Sequence, residues 1–149
     1  MRFRSLIIGV AAVAALAGAA LAQDDAAIAN RIDVMKKTIN GAVRPAALMA
    51  FGKQDFDPAA AKASMNTIAT AISTFPTLFP PGSEGIKDKA SPAIWSDTAG
   101  FKAAAAKLET DAKAAAAAAD KGVDAFKQAF ATVGADCQAC HDKYRAKEE

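Results

Sequence analysis

The sequence predicts an all-α protein, an antiparallel four-helix bundle, and three observations support this fold class. Runs that alternate β-branched and polar residues, the usual sign of strands, are missing from the chain. Alanine, the strongest helix former, dominates the composition and forms an unbroken run at 114–119. Apolar residues recur every three or four positions in four segments separated by three breaks, so four helices are expected to pack side by side.

The first predicted helix begins near Asp24. Its apolar stripe steps by four, three and four residues and comprises Ile28, Ile32, Met35 and Ile39. Gly41 and Pro45 are expected to interrupt the helix, because glycine lowers helix propensity and proline lacks a backbone N–H. A second piece of the helix should then stop at Gly52.

The second predicted helix has a typical start, with Asp57 as the N-cap and Pro58 in the first helical position. It should end at Phe75, because Pro76 disfavours helical geometry in the residue before it. Residues 77–90 then form the longest connection in the chain. Its two prolines and two glycines are typical of a loop.

The third and fourth helices complete the predicted bundle. Ser91 as N-cap, followed by Pro92, predicts a helix that runs into the alanine tract and ends at the turn Asp120-Lys121-Gly122. The fourth helix should extend from about Val123 to Lys147. Its apolar seam again steps by four and three residues and comprises Phe126, Phe130, Val133, Cys137, Cys140 and Tyr144.

Within this seam, the run Cys137-Gln138-Ala139-Cys140-His141 has the C-x-x-C-H spacing of a c-type haem attachment site. On a helix Cys137, Cys140 and His141 share one face, so two thioether bonds and an axial imidazole leave the same side. These are the only two cysteines and the only histidine in the chain. The sequence therefore predicts one covalent haem c, bound inside the bundle near the C-terminal helix, with His141 as an iron ligand.

Other uses of these three residues fit the sequence less well. A disulfide framework needs cysteines outside a single motif, a C-x-x-C redox pair needs a βαβ context, and structural zinc needs four ligands.

The chain also carries an export signal, which haem attachment outside the cytoplasm requires. Two arginines, Arg2 and Arg4, precede a stretch from Leu6 to Ala22 that is uncharged and almost wholly apolar.

We expect residues 1–22 to be a secretory signal peptide that is cleaved after Ala22. The remaining residues, 23–149, then form one periplasmic domain with no stable membrane insertion. An uncleaved anchor is the alternative, but the apolar stretch is slightly short for a membrane span. Without the two leader arginines, sixteen basic residues balance sixteen acidic ones. This near-neutral balance lacks the basic excess of nucleic-acid-binding proteins, so the expected partners are redox proteins.

The residues alone leave the sixth iron position open. No second histidine exists and both cysteines are used for attachment. A methionine, an oxygen or amine donor such as lysine, or an empty position therefore remains. The predicted mature chain has three methionines, Met35, Met49 and Met65, and each lies among apolar residues, where methionine usually fills a core.

The predicted mature chain resembles the cytochrome c′ superfamily, the class II c-type cytochromes. The resemblance is carried by a haem motif near the C-terminus, by Leu78-Phe79-Pro80 in the long loop and by Ile94-Trp95 in the third helix. Arg31, four residues before Met35, matches the start of the first helix. The resemblance implies a four-helix bundle with the haem inside it, and a monomer or a homodimer.

Two branches of this superfamily differ at the position of Met35. In the high-spin branch this position is an apolar residue and the iron is five-coordinate. In the low-spin cytochrome c-556 branch it is a methionine that binds the iron. The resemblance thus implies a six-coordinate haem with His141 and Met35 as axial ligands, and it leaves Met49 and Met65 in the core.

Two arginines flank the expected ligands. Arg31 lies one turn before Met35, and Arg145 lies one turn after His141. Each arginine either binds a haem propionate through a charge-assisted hydrogen bond or is solvated at the surface. Lys143 and Lys147 are interpreted as surface charges, and Tyr144 as a packing residue.

A six-coordinate iron predicts an electron-transfer protein, because no coordination position on the iron is open for a substrate. An iron with an empty sixth position instead predicts a module that binds nitric oxide or carbon monoxide. Catalysis such as peroxidase activity is not expected, because it needs a distal acid–base group and the only histidine is already a ligand.

Overall fold

The computed structural model describes residues 25–84 and 88–147, which form four long helices. Helix α1 comprises residues 25–50, α2 Pro58–Thr74, α3 Thr98–Ala119 and α4 Val123–Tyr144. Helices α1 and α3 each pack against α2 and α4. The predicted all-α bundle is confirmed, and the described residues contain no strand. The signal peptide predicted at 1–22 lies outside the described residues.

Contacts between helix ends show that neighbouring helices are antiparallel. Lys62, near the start of α2, forms a 2.6 Å ion pair with Asp120, which follows the end of α3. The ring of Phe51, just after α1, lies 6.5 Å from the ring of Phe130, near the start of α4. The end of α1 therefore lies beside the start of α4, and the start of α1 lies beside the haem motif at the end of α4.

Helix α1 is continuous, so the breaks predicted at Gly41 and Pro45 were wrong. The helix widens to π geometry over Val34–Ile39 and returns to α geometry over Asn40–Ala50. Pro45 removes one backbone hydrogen bond, but Ala42, Ala46 and Met49 on the same helix are buried, and packing of this apolar face offsets that loss. The predicted stop is confirmed, because Gly52 has a left-handed φ of 66°.

Asp57 caps α2 as predicted. Its carboxylate accepts hydrogen bonds from the backbone N–H groups of Ala59 at 2.8 Å and Ala60 at 3.2 Å. The α-helix ends at Thr74, and a 3₁₀ turn, Phe75–Leu78, leads into the long connection.

The predicted third helix is divided into two pieces. Ser91 begins only a single turn, Ala93–Ser96, where its hydroxyl accepts from the N–H of Ala93 at 3.2 Å. The chain then breaks at Asp97, whose carboxylate accepts from the N–H of Gly100 at 3.1 Å and caps α3. Asp97 itself leaves helical geometry, with φ −128° and ψ 54°, so the prediction of one continuous helix from Ser91 was wrong.

Helix α4 ends at Tyr144, before the predicted end at Lys147. The residues after it leave the helix because their backbone pairs with the segment before α3. Ala146 donates to the carbonyl of Lys89 at 2.8 Å, and Arg145 forms an antiparallel bridge with Ala90.

The apolar seam of α4 faces the core as predicted. The core is formed by apolar side chains of all four helices, including Met49, Met65, Ile68, Leu108, Phe126, Phe130 and Val133. Cys137 and Cys140 are half-buried at the edge of this core. Across residues 25–84 and 88–147, no helix combines the length and the apolar character needed to cross a membrane.

Candidate haem site

A cavity of about 600 Å³ lies between α1 and the C-terminal part of α4. It is lined by all six residues that the sequence predicted for the site: Arg31, Met35, Cys137, Cys140, His141 and Arg145. Its volume lies within the range of about 300–1,000 Å³ that is usual for cofactor pockets.

Helix α4 supplies the wall that carries the haem motif. Cys137, Cys140 and His141 lie within one helix at spacings that place them on a single face, as predicted. Neither cysteine takes part in a disulfide, and burial raises the pKa of each thiol. Partial burial, and then the charge of Arg145, lower the pKa of His141, which favours the neutral imidazole that can bind a metal.

Helix α1 supplies the wall that carries Met35. This methionine lies in the π-helical segment Val34–Ile39 and lines the cavity. The other two candidate methionines are elsewhere: Met49 and Met65 are 1 % and 0 % exposed in the core, and neither lines the cavity. π-Helical turns often occur at functional sites, and this one coincides with the residue that reaches the pocket.

Aromatic rings form much of the remaining wall. The ring of Phe79 lies 5.1 Å from that of Phe75 and 5.0 Å from that of Phe101, both in edge-to-face contact. Phe101 also contacts the ring of Tyr144 at 5.2 Å. These four residues line the cavity and give it the apolar surface that a porphyrin ring requires.

Arg31 is buried, at 2 % exposure, so its interpretation as a solvated surface arginine is wrong. Its Nε donates to the carboxylate of Asp88. Its Nη1 donates to the hydroxyl of Ser83 at 3.0 Å and more weakly to the carbonyl of Leu78 at 3.4 Å, and its Nη2 donates to the carbonyl of Ser83 at 2.8 Å. Binding of Arg31 to a haem propionate stays a prediction.

Arg145 follows α4 and is exposed at the cavity. Its backbone N–H donates to the carbonyl of His141 at 3.1 Å, which fixes its position one turn beyond the predicted iron ligand. The Arg145 guanidinium is exposed, whereas that of Arg31 is buried. The role of Arg145 as a propionate ligand also stays a prediction.

Tyr144 packs in the core as predicted, but it also belongs to a hydrogen-bond cluster that the sequence analysis missed. Its hydroxyl donates to Asp97 at 2.8 Å, and the exposed Lys143 donates to the same carboxylate at 2.6 Å. Hydrogen bonds from Lys143, Tyr144 and the N–H of Gly100 lower the pKa of Asp97 to about 2. The cluster ties the end of α4, three residues beyond His141, to the start of α3.

Some of the residues that sequence reasoning missed could have been found. Asp97 lies three residues before Gly100 and ahead of an apolar stripe, which is a usable N-cap signal. Ser83 and Asp88 lie in a loop without periodicity, and no local pattern points to their contact with Arg31.

The residues around the cavity fit a haem attached through two thioether bonds. Two cysteine side chains and an imidazole leave one face of α4, and a methionine thioether lines the cavity from α1. Apolar rings form the walls, and Arg145 provides a cation where the cavity meets solvent. This donor set matches a c-type haem with a histidine ligand and a potential methionine ligand.

Comparison with known proteins agrees with this site. The model of the family described as cytochrome C′ matches residues 26–145. A protein named cytochrome c-556 from Agrobacterium fabrum is 44% identical over 114 residues, which cover 76% of this chain and 77% of that protein. A protein named cytochrome c′ from Alcaligenes xylosoxydans xylosoxydans is 41% identical over 99 residues, or 65% of this chain and 76% of that protein.

Solved structures show the same fold. The structure of cytochrome c′ from Rhodopseudomonas palustris superposes with a TM-score of 0.76 at 35% identity and covers 83% of this chain and 98% of that one. A ferrous variant of cytochrome c prime from Alcaligenes xylosoxidans with bound NO superposes with a TM-score of 0.76 at 31% identity, covering 84% and 97%. The chain therefore belongs to the cytochrome c′ family, whose members carry one covalent c-type haem.

Proposed function

We propose that this protein is a periplasmic electron carrier whose one covalent haem c is six-coordinate and low-spin, with His141 and Met35 as axial ligands. The observation that carries the proposal is the position of Met35, which lines the haem cavity while Met49 and Met65 are buried outside it. Similarity to proteins named cytochrome c-556 supports the same branch of the family.

A lysine is a weaker candidate for the sixth ligand. Lys36 and Lys89 also line the cavity, and both are exposed to solvent. The ammonium group of a lysine has no lone pair to offer, so it must lose a proton before its nitrogen can bind iron. Met35 needs no such step, because a thioether carries no proton.

When bound, the haem supplies a one-electron couple between Fe(II) and Fe(III). His141 presents a neutral imidazole, and Met35 presents a soft thioether that favours Fe(II) and raises the reduction potential relative to two imidazoles. The aromatic rings of Phe75, Phe79 and Phe101 give the pocket an apolar lining, and an apolar surrounding also tunes the potential. With both axial ligands supplied by the protein, no open position remains for a substrate, and we propose no enzymatic activity.

The proposed partners are other redox proteins, which meet the haem edge at the cavity mouth in weak and transient encounters. The balanced charge of the mature chain gives no basis for nucleic-acid binding. The cytochrome c′ family is periplasmic, and cleavage after Ala22 would release residues 23–149 into that compartment as a monomer or a homodimer.

The substitution Met35→Ala tests this proposal. In the variant we expect a high-spin ferric spectrum, ready binding of carbon monoxide and a lower reduction potential, because the thioether is lost. Met65→Leu is the matched control: it alters a buried methionine outside the cavity and should leave all three properties unchanged. If Met35→Ala keeps a low-spin spectrum and the original potential, Met35 is a packing residue and the proposal is wrong.

One observation favours a second candidate function, a five-coordinate module that binds nitric oxide or carbon monoxide. A structurally similar cytochrome c prime from Alcaligenes xylosoxidans has been solved with bound NO. This function requires that Met35 stays off the iron. The two candidates are separated by the spin state of the unmodified ferric protein, which is low-spin for the electron carrier and high-spin for the gas-binding module.

A further inference from the structure

The buried guanidinium of Arg31 joins α1 to the described parts of the long connection, residues 77–84 and 88–90. We define the Arg31 latch as Arg31 together with its three loop residues, Leu78, Ser83 and Asp88. The ion pair with Asp88 is enclosed, with only 1% of the arginine side chain and 4% of the aspartate side chain exposed. The loop residues lie 47 to 57 positions away in sequence, so the latch joins α1 to a distant part of the chain.

Side chains of the loop and of the turn after it also contact the Arg31 guanidinium. Arg31 lies 4.6 Å from the ring centroid of Phe79 and 5.6 Å from that of Trp95. The carbonyl of Pro80 accepts from the Trp95 indole at 3.1 Å and from the Ser83 hydroxyl at 2.8 Å. The Ser83 hydroxyl thus donates to Pro80 while it accepts from Arg31, so each polar group of this small network has a defined partner.

Met35 follows Arg31 by one helical turn, inside the π-helical segment Val34–Ile39. A π-helical turn is an unusual backbone geometry, which persists where the surrounding structure holds it in place. The latch fixes the chain immediately before this segment. On the other side of the segment, Ile39 and Ala42 are buried in the core. The position of Met35 in the cavity therefore depends on anchors at both ends of the π-helical turn.

We infer that Arg31 is a positioning residue for Met35. The latch fixes the position and the rotation of α1 relative to the haem cavity, so that the Met35 thioether reaches the iron. This inference rests on the proposed function, in which Met35 is the sixth ligand. A loosened latch leaves Met35 present but less often in the binding position. The five-coordinate fraction then rises, and the ferrous protein binds carbon monoxide faster in proportion to that fraction.

The test uses three holoprotein variants that weaken the latch from different sides. Ser83→Ala removes a hydroxyl that does not line the cavity, Asp88→Asn removes the charge of the partner, and Arg31→Lys keeps the charge but loses the planar fork. We expect each variant to raise the rate of carbon monoxide binding by roughly tenfold, which corresponds to about 1.4 kcal/mol, with a matching gain of high-spin ferric signal.

Lys37→Gln is the matched control. Lys37 lies in the same π-helical segment, but its ion pair with Asp33 is exposed, at 75% for the lysine side chain and 56% for the aspartate. Loss of this pair should leave the rate of carbon monoxide binding and the spin state at wild-type values, because an exposed pair does not hold the helix in place.

Two results would overturn the inference, and both differ from a failure of the proposed function. If Met35→Ala changes the spin state while Ser83→Ala and Asp88→Asn match the wild type, Met35 is the ligand but the latch does not position it. The second contrary result is that Arg31→Lys and Ser83→Ala leave carbon monoxide binding unchanged, while Asp88→Asn changes only the reduction potential. In that case the charges of Arg31 and Asp88 act on the potential of the haem, and the latch does not position Met35. If Met35→Ala itself has no effect, the proposed function has failed.

Discussion

A substitution at Gly100 tests the close packing between α3 and the end of α4. Gly100 lies in the first turn of α3, where a Cβ atom would come within 2.6 Å of the Tyr144 hydroxyl and closer still to a carboxylate oxygen of Asp97. Real Cβ contacts essentially never fall below 3.0 Å. The Asp97 and Tyr144 side chains must therefore shift in Gly100→Ala, and the hydrogen-bond cluster that ties α4 to α3 is disturbed.

The size of this effect is best measured against a second glycine. Gly134 lies inside α4 and has nothing within 4 Å of its ideal Cβ position. Replacement of either glycine by alanine gains about 1 kcal/mol of helix propensity. At Gly100 the added methyl group also costs about 1–3 kcal/mol, the usual range for overpacking. We therefore expect Gly134→Ala to stabilise the protein, and Gly100→Ala to be about 1–3 kcal/mol less stable than Gly134→Ala.

The assay is urea unfolding of the two holoprotein variants and the wild type, with the midpoint and the slope fitted for each. A thermal scan should show the same order, with Gly100→Ala melting about 3–5 °C below Gly134→Ala for each kcal/mol of difference. As a further check, the cost at Gly100 should shrink in a Tyr144→Phe background, where one of the two close oxygens is missing. Equal stabilisation of the protein by both alanine substitutions would refute the reasoning.

Three further predictions concern the core, the response to acid and the iron ligand. Met65→Ala should lower the free energy of unfolding by about 2–5 kcal/mol because it opens a cavity in the core, while the haem absorption spectrum stays unchanged. The folded-state pKa of Asp97, about 2, lies below its ordinary value of 3.8, so its contribution to stability is present above about pH 4 and is lost as the pH falls towards 2. Asp97→Asn should remove this part of the pH dependence of the urea midpoint. His141→Ala should prevent formation of a native-like haem spectrum, as measured by absorption of the purified protein.

The parts of the fold that could be predicted from the sequence depend on local signals. The three- and four-residue steps in α4 place Phe126, Phe130 and Val133 in the core, and the same steps bring Cys137 and Cys140 to one face. The cap at the start of α2 follows from adjacent residues in the same way. Such patterns are visible in one sequence because the interacting residues lie within two turns of each other.

The parts that could not be predicted depend on distant contacts. Pro45 predicts a break in the helix, and only the packing of α1 against α2 and α4 explains why the helix continues through it. The π-helical turn around Met35 has no local signature. The burial of Arg31 was missed for the same reason, because Ser83 and Asp88 lie more than fifty positions away in sequence.

The most direct test of the central claim is the absorption spectrum of the purified, exported protein, recorded from the visible into the near-infrared in both oxidation states. We predict a covalently attached haem with a low-spin ferric spectrum, a charge-transfer band from methionine to iron, and little response of the ferrous form to carbon monoxide. A high-spin ferric spectrum without that band, together with rapid binding of carbon monoxide, would contradict ligation by His141 and Met35.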